Sequence, residues 1–150
     1  MSAISQRLQP SVGPHNVARS FALVLGATYL AVGILGFFFT GFSGFIGHNT
    51  TVIVFQLNIF HNLVHIGIGA ILLIASRAPD SAVTQGVLFG VGTLYVAATL
   101  LGVLNALSIL SMHGHFAGDN FLHLASAAFA LIGGMLGTQQ QAEADRAYLA

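Results

Sequence analysis

Seven histidines occur in the 150 residues, and six of them, His48, His61, His65, His113, His115 and His123, fall within one stretch that also holds Asp119. His61 and His65 are four residues apart and share a helix face, a spacing that Asp119 and His123 repeat. Imidazole and carboxylate donors are what zinc, copper or iron accepts, so His61, His65, Asp119 and His123 form a candidate metal-ligand set. A b-type haem between His65 and His123 is a second arrangement, although no Arg or Lys stands nearby to meet its propionates. The more economical reading is structural. Together with Asn58, Asn62 and Asn120, these groups cap helix ends and join helices by hydrogen bonds worth about 0.6 kcal/mol each, because polar groups near a membrane interface are readily solvated. Proton transfer is disfavoured, since no acidic residue continues a path away from the cluster. His15 and His48 lie in stretches expected to be solvated, and the Asn49 sequon matters only on a eukaryotic secretory route.

Other chemistry is missing from the chain. There are no cysteines, which removes disulfides, iron–sulfur clusters, thiolate metal sites and cysteine nucleophiles. No GxSxG elbow, Gly-rich loop followed by Lys, HExxH pair or Ser/Lys dyad occurs, so a non-catalytic role is expected and no cofactor is assigned.

The elements that must position the cluster are membrane helices. Only 5% of residues are charged, against about 25% in soluble domains, and the mean hydropathy is +0.85. Apolar runs of about 20 residues match a hydrocarbon core of about 30 Å. Four such runs predict four transmembrane helices, at about 19–40, 52–76, 82–107 and 119–137, between an N-terminal tail over 1–18 and a C-terminal tail over 138–150. Asn16 is the expected cap of the first helix, which follows a lead containing Pro10 and Pro14 and is too long to be the apolar region of a signal peptide. The start of the second helix is open between Val52 and His61. Asp119 or Asn120 is expected to cap the fourth.

Arg7, Arg19, Arg77 and Arg146 all fall on one side of this topology, and the intervening loops 41–57 and 108–118 carry no basic residue. The positive-inside rule then predicts both termini and the middle loop in the cytoplasm. Counting ~1.5 Å per residue puts His65 about 18 Å and His61 about 24 Å from the cytoplasmic boundary, with Tyr29 near enough to His65 for a hydrogen bond. Four basic residues balance four acidic ones, so no nucleic-acid partner is expected.

The two halves of the chain resemble each other. Residues 25–36 (LGATYLAVGILG) align with 91–102 (VGTLYVAATLLG), placing Tyr29 over Tyr95, and HNLVH at 61–65 aligns with DNFLH at 119–123, placing Asn62 over Asn120 and His65 over His123. This predicts two tandem helical hairpins related by a pseudo-twofold axis along the membrane normal. Small-residue steps at Ala22 and Gly26, at Gly86 and Gly90, and at Ser126, Ala130 and Gly134 are expected to pack helices within the chain, with a homodimer interface as the alternative.

The pattern of Asn58, His61, Asn62 and His65 opening one helix, and Asp119, Asn120 and His123 opening another, resembles the bacterial membrane family DUF4383 over residues 19–137. The resemblance implies four spans, a bacterial cytoplasmic (inner) membrane and a role for those His and Asn positions, and it implies no reaction. The function expected from the sequence is therefore an accessory or scaffold subunit of a larger membrane complex, or a homo-oligomer, whose partners are the lipid bilayer and other membrane subunits or itself. The alternative is a metal- or haem-binding protein using the His/Asp cluster, with Tyr29, Asn58, Asn62, Tyr95 and Asn120 as a supporting polar network. A transporter is disfavoured by the lack of a mid-membrane charge in helices one and three and of a proline within any span.

Overall fold

The structure is a computed structural model that describes residues 16–42, 44–46 and 50–149. Arg7, Pro10, Pro14, His15, His48 and Asn49 lie outside the described residues.

Among the described residues there are four α-helices, α1 (Val17–Thr40), α2 (Ile59–Ala75), α3 (Ser81–Val103) and α4 (Gly118–Leu149), with a small hairpin of β1 (Thr50–Val52) and β2 (Phe55–Leu57) before α2 and a 3-10 turn (Ser108–Leu110) before α4. Three of the helices, α1, α3 and α4, are long and apolar enough to cross a membrane, while α2 is apolar but has 17 residues. The buried positions of α2, His61, His65, Ile68, Leu72 and Ala75, step by three and four, and α1 repeats the pattern from Ala18 through Ala22, Leu25 and Tyr29. Those seams face one another. Large side chains such as Phe38, Ile74, Leu100 and Phe121 point outward instead, leaving an apolar surface around a partly polar interior.

Local sequence explains most boundaries. Asn16 caps α1 by accepting from the Ala18 amide, and its Nδ2 donates to the Gly137 carbonyl of α4 at 3.1 Å. Gly41 ends α1 in the left-handed conformation that glycine adopts without steric penalty, returning its N–H to the Phe37 carbonyl. Asp80 caps α3. At the same end of the bundle Arg19 donates to the Ala78 and Pro79 carbonyls at 2.7 and 3.0 Å, tying the start of α1 to the end of α2.

The second helix begins at Ile59, within the range open to it from Val52 to His61, because residues 50–57 pair as a hairpin in the register Thr50↔Leu57, Thr51↔Gln56 and Val52↔Phe55, and Asn58 caps the helix by accepting from His61 N. Two further boundaries are corrected. The third ends at Val103, not at 107, since Asn105 has a positive φ and the chain turns there. The fourth does not stop at 137: no Gly or Pro follows, Gln and Ala favour helix, and the extension docks on the bundle through Gln140, which accepts from Val17 N, and Gln141, which accepts from Ser81 Oγ. Neither Asp119 nor Asn120 is the cap, because the helix already begins at Gly118: the Asp119 carboxylate accepts from Gln56 N, and Asn120 Nδ2 donates to the Gly114 and His115 carbonyls of the preceding loop.

Close packing is set by glycine. The backbones of α1 and α2 meet at Gly26 and Gly69, where a Cβ on Gly69 would lie 2.5 Å from Leu30 N and 2.8 Å from Gly26 O. Higher in the bundle the Asn62 amide occupies the space beside Gly36, and the Asn120 amide occupies the space beside Gly102. Gly86 and Gly90 depart from expectation. They lie on an exposed face of α3, and an added Cβ on either meets nothing within 4 Å, so this step packs no helix of the described chain.

Candidate metal centre

The histidines are held at the end of the bundle that carries the hairpin. Asn58 fixes the start of α2: its Oδ1 accepts from His61 N at 2.8 Å, and its Nδ2 donates to the Ile109 carbonyl of the 3-10 turn at 2.9 Å. His61 and His65 follow one turn apart on the buried face of α2, and His123 faces them from the first turns of α4. All three are almost fully buried, at 1–2% exposure. One ring nitrogen from each comes to within 4.8 Å of the others.

A carbonyl only accepts, so the 3.0 Å contact between His61 Nδ1 and Gln56 O places the proton on Nδ1. Nε2 is then a bare lone pair, with no hydrogen-bond partner among the described residues. Both ring nitrogens of His65 and Nδ1 of His123 are likewise buried without hydrogen-bond partners among the described residues. An unpaired buried polar atom costs about 1–3 kcal/mol, so a cluster of them points to a ligand that satisfies several together. Zinc takes imidazole nitrogens at ~2.0–2.1 Å, so His61, His65 and His123 would hold an ion between them if their rings drew closer together.

Asp119 is placed beside the three imidazoles and not among them. Its carboxylate accepts from Gln56 N at 2.9 Å, while the carbonyl of the same residue receives the His61 proton. Gln56 thus links the carboxylate to the imidazole through its backbone, and its side-chain Oε1 also accepts from His113 N. A histidine ligand whose second nitrogen donates to a carbonyl is the usual outer-shell arrangement of a metal site. No motif signals Gln56, because its backbone groups do this work and any residue carries them.

Two rings floor the cluster. Tyr29 lies edge-on to His65 at 4.9 Å, Tyr95 is tilted to His123 at 5.1 Å, and the tyrosines stack at 5.1 Å. The expected Tyr29 to His65 hydrogen bond is replaced: the Tyr29 hydroxyl pairs with Ser126 Oγ at 2.6 Å, leaving His65 a ring contact only. The His61 ring lies 4.4 Å from that of His65 and 6.1 Å from that of His123, so it stands beside the pair between which a haem would have to sit. His113 and His115 are exposed in the loop, and His115 Nδ1 contacts the Val103 carbonyl.

A family model described as a domain of unknown function, DUF4383, matches residues 19–136. The chain belongs to the DUF4383 family. No curated protein and no solved structure matches it. The span matched to DUF4383 includes His61, His65, His123, Asp119 and both tyrosines, so the centre lies wholly inside the family's domain.

Proposed function

We propose that this protein is an integral membrane protein that holds one first-row transition-metal ion, zinc or copper, between His61, His65 and His123. One observation carries the reading: three buried imidazoles on two helices bring unpaired nitrogens within 4.8 Å, and Gln56 fixes one of them in the ligating tautomer. Neutral imidazoles without thiolates suit zinc and copper, and three protein ligands leave one position open. Asp119 offsets part of the ion's charge through Gln56. The role is binding, with no nucleophile or acid–base pair assigned.

The topology proposed for it has four spans. Because Arg19 binds the carbonyls that follow α2, the start of α1 and the end of α2 share one end of the bundle, so α2 crosses wherever α1 does. Its 17 residues lie at the lower limit of about 17–25 for a span. The pseudo-twofold reading is supported by matched contacts. Gly36 against Asn62 corresponds to Gly102 against Asn120, and Tyr29 beside His65 corresponds to Tyr95 beside His123. Arg19, Arg77 and Arg146 support a topology with both termini in the cytoplasm and the metal centre towards the opposite face.

A second reading, as a non-catalytic accessory subunit or homo-oligomer, is favoured by the outward Gly86 and Gly90 step, where another helix could approach closely. Native mass spectrometry of protein purified in mild detergent without chelator tests both. The expected spectrum carries one metal ion per chain, and its chain count reports any self-association. A metal-free chain that takes up neither zinc nor copper on titration overturns the metal reading.

A further inference from the structure

The two halves of the chain differ along the seams where they meet. Between α1 and α4, Phe21 packs on Phe129 with ring centroids 4.5 Å apart, and a Cβ on Gly133 would lie 2.4 Å from the Phe21 ring. Extending the alignment of the halves along the helices puts Val87 in the place of Phe21, Ile71 in the place of Phe129 and Ala75 in the place of Gly133. The corresponding seam between α2 and α3 therefore lacks two aromatic rings. An open groove of about 650 Å³ lies there, walled by Ile71, Ile74, Val83 and Val87 and bordered by Arg77 where the chain leaves α2. Arg77 is exposed and its Nη1 donates to the Leu73 carbonyl at 3.2 Å, so a guanidinium with five N–H donors keeps most of them for another partner. Arg19, held on the Ala78 and Pro79 carbonyls, adds a second positive charge, while the Asp80 carboxylate is turned to the Ala82 amide.

We propose that this groove holds an acyl chain of an anionic phospholipid whose phosphate meets Arg77. The inference rests on the four-span topology, which puts the end of α2 at the level of the cytoplasmic headgroups, and it is independent of the metal centre at the other end of the bundle. Charge complementarity sets the headgroup, because a basic pocket between membrane helices on the cytoplasmic side selects anionic lipid. The walls set the rest. A soluble anion meets the guanidinium and gains nothing from four branched apolar side chains, whereas a flexible hydrocarbon chain covers them. A partner helix is better served elsewhere, since helices in lipid approach through small residues and the outward step of α3 is Gly86 and Gly90.

Native mass spectrometry of the full chain released from nanodiscs of equal phosphatidylglycerol and phosphatidylcholine tests it. The wild type is expected to retain one phospholipid per chain, with phosphatidylglycerol favoured roughly fivefold, as one cation near an anionic headgroup provides. Arg77→Gln should retain lipid without that preference. Ile71→Phe combined with Val87→Phe restores the aromatic pair of the opposite seam and should retain none; if that chain does not fold, the surface change Arg77→Gln decides. No retained lipid in the wild type, equal retention of the two lipids, a preference that survives Arg77→Gln, or undiminished retention in a folded double variant overturns the proposal. The chain has no cysteine, so Ala82→Cys and Phe116→Cys, labelled with a membrane-impermeant maleimide, report the topology separately. Labelling from opposite sides without retained lipid sinks the groove alone, and labelling from one side sinks the four-span reading and the groove with it.

Discussion

His65→Ala is expected to weaken metal binding by more than roughly 100-fold, beyond the 10–100-fold that loss of an outer-shell partner costs. His65 is the purest donor of the three. It caps nothing, neither ring nitrogen has a hydrogen-bond partner among the described residues, and it lies one helical turn from His61. Its removal leaves two imidazoles on different helices, without the third donor that fixes an ion between them. Alanine is the best helix former, so α2 itself should persist. Asp119→Asn provides the contrast. An amide oxygen there still accepts from Gln56 N, but the negative charge behind the His61 proton is gone, and affinity should fall only about tenfold. Competition with a chromophoric chelator measures both. Equal affinity in wild type and His65→Ala would remove His65 from the site.

Two glycines on α2 are expected to respond in opposite directions to the same substitution. Gly69→Ala puts a methyl group against backbone, 2.5 Å from Leu30 N and 2.8 Å from Gly26 O, and neither atom moves unless α1 moves. The cost expected from overpacking is about 1–3 kcal/mol. Gly67 lies two residues away on the exposed face, where an added Cβ meets nothing within 4 Å. Gly67→Ala is therefore expected to stabilise the protein by about 0.5–1 kcal/mol, because glycine loses more backbone freedom on forming helix. Thermal unfolding in one detergent ranks the pair. A Gly69→Ala protein as stable as Gly67→Ala would mean that the α1–α2 backbones do not meet there.

The centre joins two kinds of information that lie far apart in the chain. The i, i+4 spacing fixes that His61 and His65 share a face, but what makes them a site is the third imidazole and a peptide group from the hairpin. The fourfold ligand set read from sequence becomes three histidines with Asp119 behind Gln56, because the carboxylate is committed to a backbone amide.

The sequence by itself determined the class of the molecule. Hydropathy marks the four helices, Asn16 announces the start of the first, and the family follows from the His and Asn positions that open the second and fourth. These features are local, depending on composition, on caps within three residues and on a period near 3.6. Tertiary structure alone decided the rest. Residues 50–57 are apolar enough to read as membrane helix, yet they pair as a hairpin whose Gln56 answers Asp119 and His61 from α4 and α2. The polar tail continues α4 because Gln140 and Gln141 find partners at Val17 and Ser81. Tyr29 turns to Ser126, and Gly86 and Gly90 face outward, for the same reason: pairing across the bundle depends on how the helices rotate about their axes, and local sequence leaves that rotation open.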